Sequence, residues 1–158
     1  MGAITGNGQA QTGLGGAAGF GEVALARSDS AAFVVDTSAV FENGFSLGGV
    51  SYAANALFVS TDGFLTFGAA PTGDYFNSPS SLSTPFIAAF MADIDTRLDG
   101  EGTESGPIWV DVDALADVVT ITWQDVGFYR RNAGSLIEVG DLLILIVDGG
   151  RVRIMVME

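Results

Sequence analysis

The chain has 158 residues with no Cys and no His, and 19 acidic residues against six basic ones give a formal net charge of -13. All six basic residues are Arg. These absences exclude disulfides, thiolate metal sites, imidazole bases and lysine Schiff bases. The negative charge disfavours nucleic acid and anionic membranes as partners. A hydrophobic content of 48% separates the chain from disordered acidic sequences.

Residues 1–21 form a segment rich in Gly, Ala, Gln, Asn and Thr. This composition predicts a flexible N-terminal arm that precedes a single domain over residues 22–158. The arm has no basic residue and no continuous apolar run, so it is not typical of a signal peptide. No apolar stretch approaches the roughly 20 residues that cross a bilayer, and we expect no membrane insertion. An arm that is ordered would need neighbours to hold it, which favours protein partners in a larger assembly.

The first half of the domain predicts short strands separated by turns. Ala31–Val35 is a compact apolar run, and Asn43-Gly44 predicts a primed turn after Phe41. Leu57–Thr61 and Phe64–Phe67 flank Asp62-Gly63, and this is the strongest hairpin signal in the chain.

The second half of the domain also predicts short strands separated by turns and loops. We expect loops over 69–83 and 97–106, a buried strand over 86–92, alternating strands over 108–113 and 118–123, and a hairpin of 142–147 with 152–157. Only residues 113–117 could form a helical turn. Strands about every ten residues predict an all-β antiparallel sandwich or barrel-like domain. Because the last strand ends at Glu158 with one apolar face, we expect either a partner to cover that edge or the sequence to be truncated.

The largest apolar side chains of these strands are expected to build the core. They are Phe58, Phe64, Phe67, Ile87, Phe90, Trp123, Val126, Leu143, Leu145 and Ile154.

The most concentrated acidic segment runs from Asp93 to Glu101. Carboxylates of Asp93, Asp95 and Asp99 could ligate Ca²⁺, although Arg97 stands where an EF-hand would place its third oxygen ligand. We favour the alternative that Arg97 pairs with Asp95 or Asp93 and locks the loop. No cofactor is expected.

Two further groups of residues carry alternative interpretations. Asp111 and Asp113 share a strand face and could be the carboxylate pair of a glycosidase, but a solvated strand face is the favoured interpretation. Asp125, Tyr129 and Arg130 follow a strand and could contact a sugar or a protein partner. Tyr129 could equally seal the edge of the core.

Four segments together resemble one family, the NIDO (nidogen-like extracellular) domains. The family patterns are V-N-T-N-G-x-x-x-F-G, P-x-I-A-P-F-W-A-D-V-D-T-R, T-W-x-x-V-G-Y-Y and F-Q-L-V-L-x-x-D-G. The corresponding segments, in the same order, are Ala56–Gly68, Pro85–Arg97, Thr122–Tyr129 and Leu142–Gly149. The Asp-x-Asp-Thr-Arg string that ends at Arg97 is the most specific of these elements.

The chain departs from the family patterns at several positions. Ala89 replaces a Pro, Met91 an aromatic residue, and Leu142-Leu143 a Phe-Gln pair. The family's final aromatic strand is replaced or cut short at the C-terminus, and its disulfides are absent, as expected of a bacterial or phage-type relative.

The resemblance implies a non-catalytic β-rich module, not an enzyme. We therefore expect a recognition or adhesion module that binds a cell-surface or matrix carbohydrate or protein. The alternative is a structural subunit of a phage-like particle, such as a tail tip, fibre or head spike. The corresponding location is extracellular, at a cell surface or on a virion.

Overall fold

The computed structural model describes residues 13–72, 79–98, 105–127 and 129, and the strand backbone over 142–147 and 151–156. The described residues contain no α-helix, and hence no helix able to cross a membrane. The strands are β1 (Val23–Ala24), β2 (Ala32–Val35), β3 (Phe45–Leu47), β4 (Val50–Tyr52), β5 (Leu57–Ser60), β6 (Phe64–Phe67), β7 (Phe86–Ala88), β8 (Ile108–Asp113), β9 (Val118–Trp123), β10 (Leu142–Val147) and β11 (Arg151–Val156). A short 3₁₀ turn spans Pro79–Ser81.

These strands form two main antiparallel sheets. One sheet has the order β1-β8-β9-β10-β11, the other has the order β2-β5-β6-β7, and β3 and β4 form a separate ribbon. The described strands do not close into a barrel. The prediction of an all-β antiparallel sandwich is therefore confirmed.

The core lies between the two sheets because each sheet turns alternate apolar residues toward the other. From β6 these are Leu65 and Phe67, and from β9 they are Ile121 and Trp123, all 2% exposed or less. Trp123 also joins the sheets by a polar contact, since its Nε1 donates to the Ser60 carbonyl at 3.0 Å.

The strand register corrects part of the expected core. Phe58 is only partly buried and lies outside the core, because Leu57 and Val59 occupy the inward positions of β5. In β10, Leu143 and Leu145 pair with Thr122 and Thr120, whose strand positions alternate with the core residues of β9. The side chains of Leu143 and Leu145, and that of Ile154 in β11, lie outside the described residues, so these three core predictions stay predictions.

Two other expectations differ from the structure. The turn after Phe41 is closed by the Gly44 amide, which donates to the Phe41 carbonyl at 2.8 Å. Gly44 has a φ of 81° and Asn43 is not among the residues with positive φ, so Gly44 ends the turn and the expected primed turn is wrong. The strand expected over 86–92 is limited to β7, because the chain leaves the sheet after Ala88.

The described part of the N-terminal arm, residues 13–21, is a folded loop. The amides of Gly13 and Leu14 both donate to the Gly19 carbonyl, and the Gly21 amide donates to the Gly15 carbonyl. Phe20 is buried at the end of this loop. Residues 1–12 lie outside the described residues.

The predicted hairpin of β5 and β6 is confirmed, and its turn depends on Gly63. β5 ends at Ser60 and β6 begins at Phe64, which leaves a three-residue loop that ends at Gly63, whose φ is 81°. A Cβ at Gly63 would also lie 2.5 Å from the Phe90 ring.

We expect Gly63→Ala to destabilise the fold much more than Gly48→Ala. Both glycines have positive φ, but a Cβ at Gly48 meets nothing within 4 Å. Gly48→Ala should cost roughly 1–2 kcal/mol from backbone conformation alone. Gly63→Ala should exceed that by at least about 1 kcal/mol because Phe90 must also move. Urea denaturation measures both values, and equal losses would contradict the proposed packing constraint.

Candidate functional site

The segment that carries the Asp-x-Asp-Thr-Arg string runs beside an earlier part of the chain. Asp95 forms an antiparallel bridge with Asp29. The Thr96 amide donates to the Ser28 carbonyl at 2.9 Å, and the Thr96 hydroxyl accepts from the Ser28 amide at 2.8 Å. Ile94 is fully buried in the core. The string therefore anchors the loop after β7 to the chain that precedes β2.

Arg97 connects two carboxylates across this bridge. Its Nε donates to Asp95 Oδ1 at 2.9 Å, and its Nη2 donates to Asp95 Oδ2 and to Asp29 Oδ2, each at 2.8 Å. Asp95 is fully buried, whereas the Arg97 side chain is 44% exposed. The hydrogen bonds with Asp95 raise the pKa of Arg97, which stays charged. The paired arrangement supplies the buried carboxylate with its counter-charge.

Arg27 secures the same loop from a different side. Its Nη1 donates to the carbonyls of Thr96 at 2.8 Å and Ser105 at 2.6 Å. The Ser105 hydroxyl accepts from the Gly127 amide at 2.8 Å, and the Tyr129 amide donates to the Asp93 carbonyl at 2.6 Å. The segment after β9 is therefore held against the Asp93–Arg97 loop through backbone groups.

Asp62 is a second buried carboxyl beside this loop. Its Oδ1 accepts from the Ile94 amide at 3.2 Å, while its fully enclosed Oδ2 has no hydrogen-bond partner among the described residues. Burial raises the pKa of Asp62 to about 7, and the charges of Asp93 and Asp29 contribute to the increase. The NIDO pattern has Asn at this position of the hairpin turn, where a neutral side chain has no charge to desolvate.

The remaining site residues are placed as follows. Asp93 is half-buried, and its pKa is raised by burial and by Asp29 and Asp95. Asp125 is exposed on the turn after β9 with a φ of 44°, and Tyr129 is 47% exposed. Asp99 and Arg130 lie outside the described residues.

The geometry does not favour the Ca²⁺ site considered for Asp93, Asp95 and Asp99. Both carboxylate oxygens of Asp95 bind Arg97. Within the described residues, no group of three or more acidic side chains could hold a metal ion. The Arg97 guanidinium therefore occupies the space that a cation bound by Asp95 would need.

Sequence reasoning missed Asp29, Arg27 and Asp62 as members of this site. Asp29 and Arg27 lie almost 70 residues before their partners in the loop, and no local motif marks them. Asp62 was interpreted only as a turn residue, although its alignment with an Asn in the family pattern was an available signal.

Asp111 contradicts the expectation of a solvated strand face. It is only 4% exposed, because Glu22 and the N-terminal loop cover this side of β8. Asp113 instead caps a turn, since its Oδ1 accepts from the amides of Leu115 and Ala116 at 2.8 and 3.0 Å. Because both carboxylates lie on one strand, they do not approach a substrate from two sides as a glycosidase requires.

Comparison with known proteins supports the family resemblance over part of the chain. The nidogen-like domain family model (NIDO) matches residues 55–113, which include the β5–β6 hairpin, β7, the Asp93–Arg97 loop and β8. The two resembling segments that begin at Thr122 and Leu142 lie outside the match. Neither a curated protein nor a solved structure matches the chain. NIDO is a family of extracellular, non-enzymatic modules.

We expect Arg97→Ala to lower the melting temperature by more than about 5 °C, because it leaves the Asp95 carboxylate buried without this counter-charge. Arg97→Lys should recover only part of the loss, since an ammonium cannot donate as a planar fork. The double variant Asp95→Asn/Arg97→Ala should melt above Arg97→Ala, because it removes the orphaned charge. Calorimetry measures all three, and an unchanged melting temperature for Arg97→Ala would refute the structural role of this pair.

The pKa of Asp62 predicts that Asp62→Asn becomes more stable relative to the wild type as pH rises. When folding raises the pKa of a carboxyl from 3.8 to about 7, the folded protein loses stability as pH rises between these values. The free energy of unfolding of Asp62→Asn, relative to that of the wild type, should therefore increase by about 2–3 kcal/mol between pH 5 and pH 8.

Asp36→Asn is the matched control for charge. Asp36 is exposed and its pKa is lowered by hydrogen bonds from Ser38, so its carboxyl is already ionised at pH 5. Chemical denaturation at both pH values should show no relative gain for this variant. A parallel pH dependence for Asp62→Asn and the wild type would show that Asp62 does not titrate in this range.

Proposed function

We propose that this protein is a non-catalytic recognition module that acts outside the cell and binds a carbohydrate or protein of a cell surface or matrix. The observation that carries the proposal is the nidogen-like match over residues 55–113, which contains the Asp93–Arg97 loop. In that loop the structure uses Asp95 to hold an exposed guanidinium in place, an arrangement that presents a side chain.

The candidate binding surface consists of Arg97, Leu98 and Tyr129. The Arg97 side chain is 44% exposed, and the residues Leu98 and Tyr129 are 60% and 47% exposed. Tyr129 is joined to the loop through its amide bond to Asp93, and its phenol influences the pKa of Arg97. A tyrosine ring can stack on a sugar or pack on a protein, and a guanidinium can donate to hydroxyl or carboxylate oxygens.

The frame beneath this surface supports recognition because it is fixed before a ligand arrives. The residue before Arg97 is tied to Ser28, since the Thr96 amide donates to the Ser28 carbonyl, and Arg27 holds the Thr96 carbonyl. A side chain presented by an ordered loop loses less conformational freedom when it binds. This arrangement suits binding chemistry and uses no nucleophile or general base.

We expect the protein to bind an immobilised glycan or matrix protein saturably, and Tyr129→Ala and Leu98→Ala to weaken that binding at least about tenfold. Leu115→Ala is the matched control, because Leu115 is 100% exposed on the turn between β8 and β9. A glycan array and a matrix-protein panel, read with all four proteins, measure the effect. Absence of binding, or equal losses in all variants, would contradict the proposed surface.

The alternative, a subunit of a phage-like particle, predicts a different result from the same sample. Light scattering coupled to size exclusion would then show a stable assembly larger than 16.3 kDa that needs no ligand. Such an assembly together with a blank array would favour the structural role over recognition.

A further inference from the structure

A pair of carboxyl groups, those of Glu22 and Asp111, lies beneath the N-terminal loop, which we define as residues 13–21. Asp111 of β8 is 4% exposed, and the Glu22 carboxyl lies beside it, lining the same cavity. The loop approaches this pair so closely that a Cβ at Gly15 would overlap the Glu22 carboxylate. A cavity of about 370 Å³ remains between residues 13–15 of the loop, Glu22 and residues 111–115.

Within the described part of the chain, the charges that face Asp111 are all negative. Glu22 approaches from the chain before β1, and Asp113 lies two residues along β8. The cross-strand neighbour in β9 is Thr120, which carries no charge, and residues 13–21 contain no titratable side chain. No basic residue lines the cavity among the described residues. Two ionised carboxylates in contact would therefore repel each other with no cation to offset them.

Protonation of Asp111 removes this repulsion. Burial raises the pKa of Asp111 to about 7, and the hydrogen bond and charge of Glu22 and the charge of Asp113 act in the same direction. When the loop is released, Asp111 becomes solvated and its pKa returns toward the ordinary 3.8. Protonation therefore favours the closed loop, and closure weakens as pH rises between these two values.

We propose that the N-terminal loop is a proton-controlled flap, closed over β8 while Asp111 is protonated and released when Asp111 is ionised beside Glu22. β1 anchors the flap, since Val23 and Ala24 pair with Val110 and Trp109. Beyond this short pairing, the edge of β8 from Asp111 to Asp113 has no strand partner on the flap side among the described strands. Release therefore uncovers the cavity floor and a strand edge that can accept a partner segment.

Amide hydrogen exchange tests the flap. The probes are the amides of Leu14 and Gly21, which donate within the closed loop, and the reference is the Ile121 amide in β9. Protection factors, corrected for the intrinsic rate at each pH, are measured with EDTA at pH 5 and pH 8, both above the isoelectric point near 4.1. Protection of the two loop amides should fall by up to about 100-fold relative to Ile121.

Variants separate the flap from general electrostatic effects. Asp111→Asn keeps a hydrogen-bonding partner for Glu22 without a second charge, so loop protection should become nearly independent of pH. Glu42→Gln removes one negative charge at an exposed position and should leave the wild-type pH dependence intact. All proteins carry Asp62→Asn, so that titration of Asp62 does not contribute.

Three outcomes would overturn the proposal. One is loop protection that does not change with pH in the reference protein. Another is a pH dependence that survives Asp111→Asn. The third is a parallel loss at Ile121, which would indicate global unfolding rather than release of the flap. Because none of these measurements involves a ligand, failure of the flap is distinguishable from failure of the proposed recognition function.

Discussion

The fold around the Asp93–Arg97 loop depends on one interaction, the pairing of fully buried Asp95 with Arg97. A carboxylate removed from water costs several kcal/mol unless a counter-charge and hydrogen bonds accompany it. Arg97 supplies both, and the same Nη2 also reaches Asp29, so the chain before β2 must lie against the chain after β7. Thr96 and Ser28 then complete the contact through their backbones. A local ion pair thereby determines a contact between residues distant in sequence.

The molecule accommodates its buried acids in two different ways because it has few cations. Asp95 is paired with Arg97. Asp62 and Asp111 have no basic partner in the described structure, and burial raises the pKa of each to about 7. With 19 acidic residues and six arginines, most carboxylates of this chain have no arginine to pair with. The physical consequence is proton binding near neutral pH, at Asp62 in the turn between β5 and β6 and at Asp111 in β8.

The parts of the fold that local pattern determines were predictable. β8 and β9 have the predicted bounds, since period-two alternation and a turn define them without reference to other strands. The contacts of Asp29 with Arg97 and of Glu22 with Asp111 were not predictable, because each joins segments that no repeat or spacing links. Alternation correctly placed Asp111 on the face opposite the core, but it carries no information about a loop that folds over that face.

The double use of Arg97 limits how a ligand can bind at its surface. The hydrogen bonds to Asp95 and Asp29 occupy Nε and Nη2, so within the described contacts Nη1 is the nitrogen that remains for a ligand. A ligand that drew the whole guanidinium away would leave Asp95 buried without its counter-charge, and the cost would cancel the new contact. Affinity must therefore come mainly from Leu98 and Tyr129, with Arg97 adding direction through one nitrogen. A neutral ligand with hydroxyl groups meets this condition better than a carboxylate that competes with Asp95.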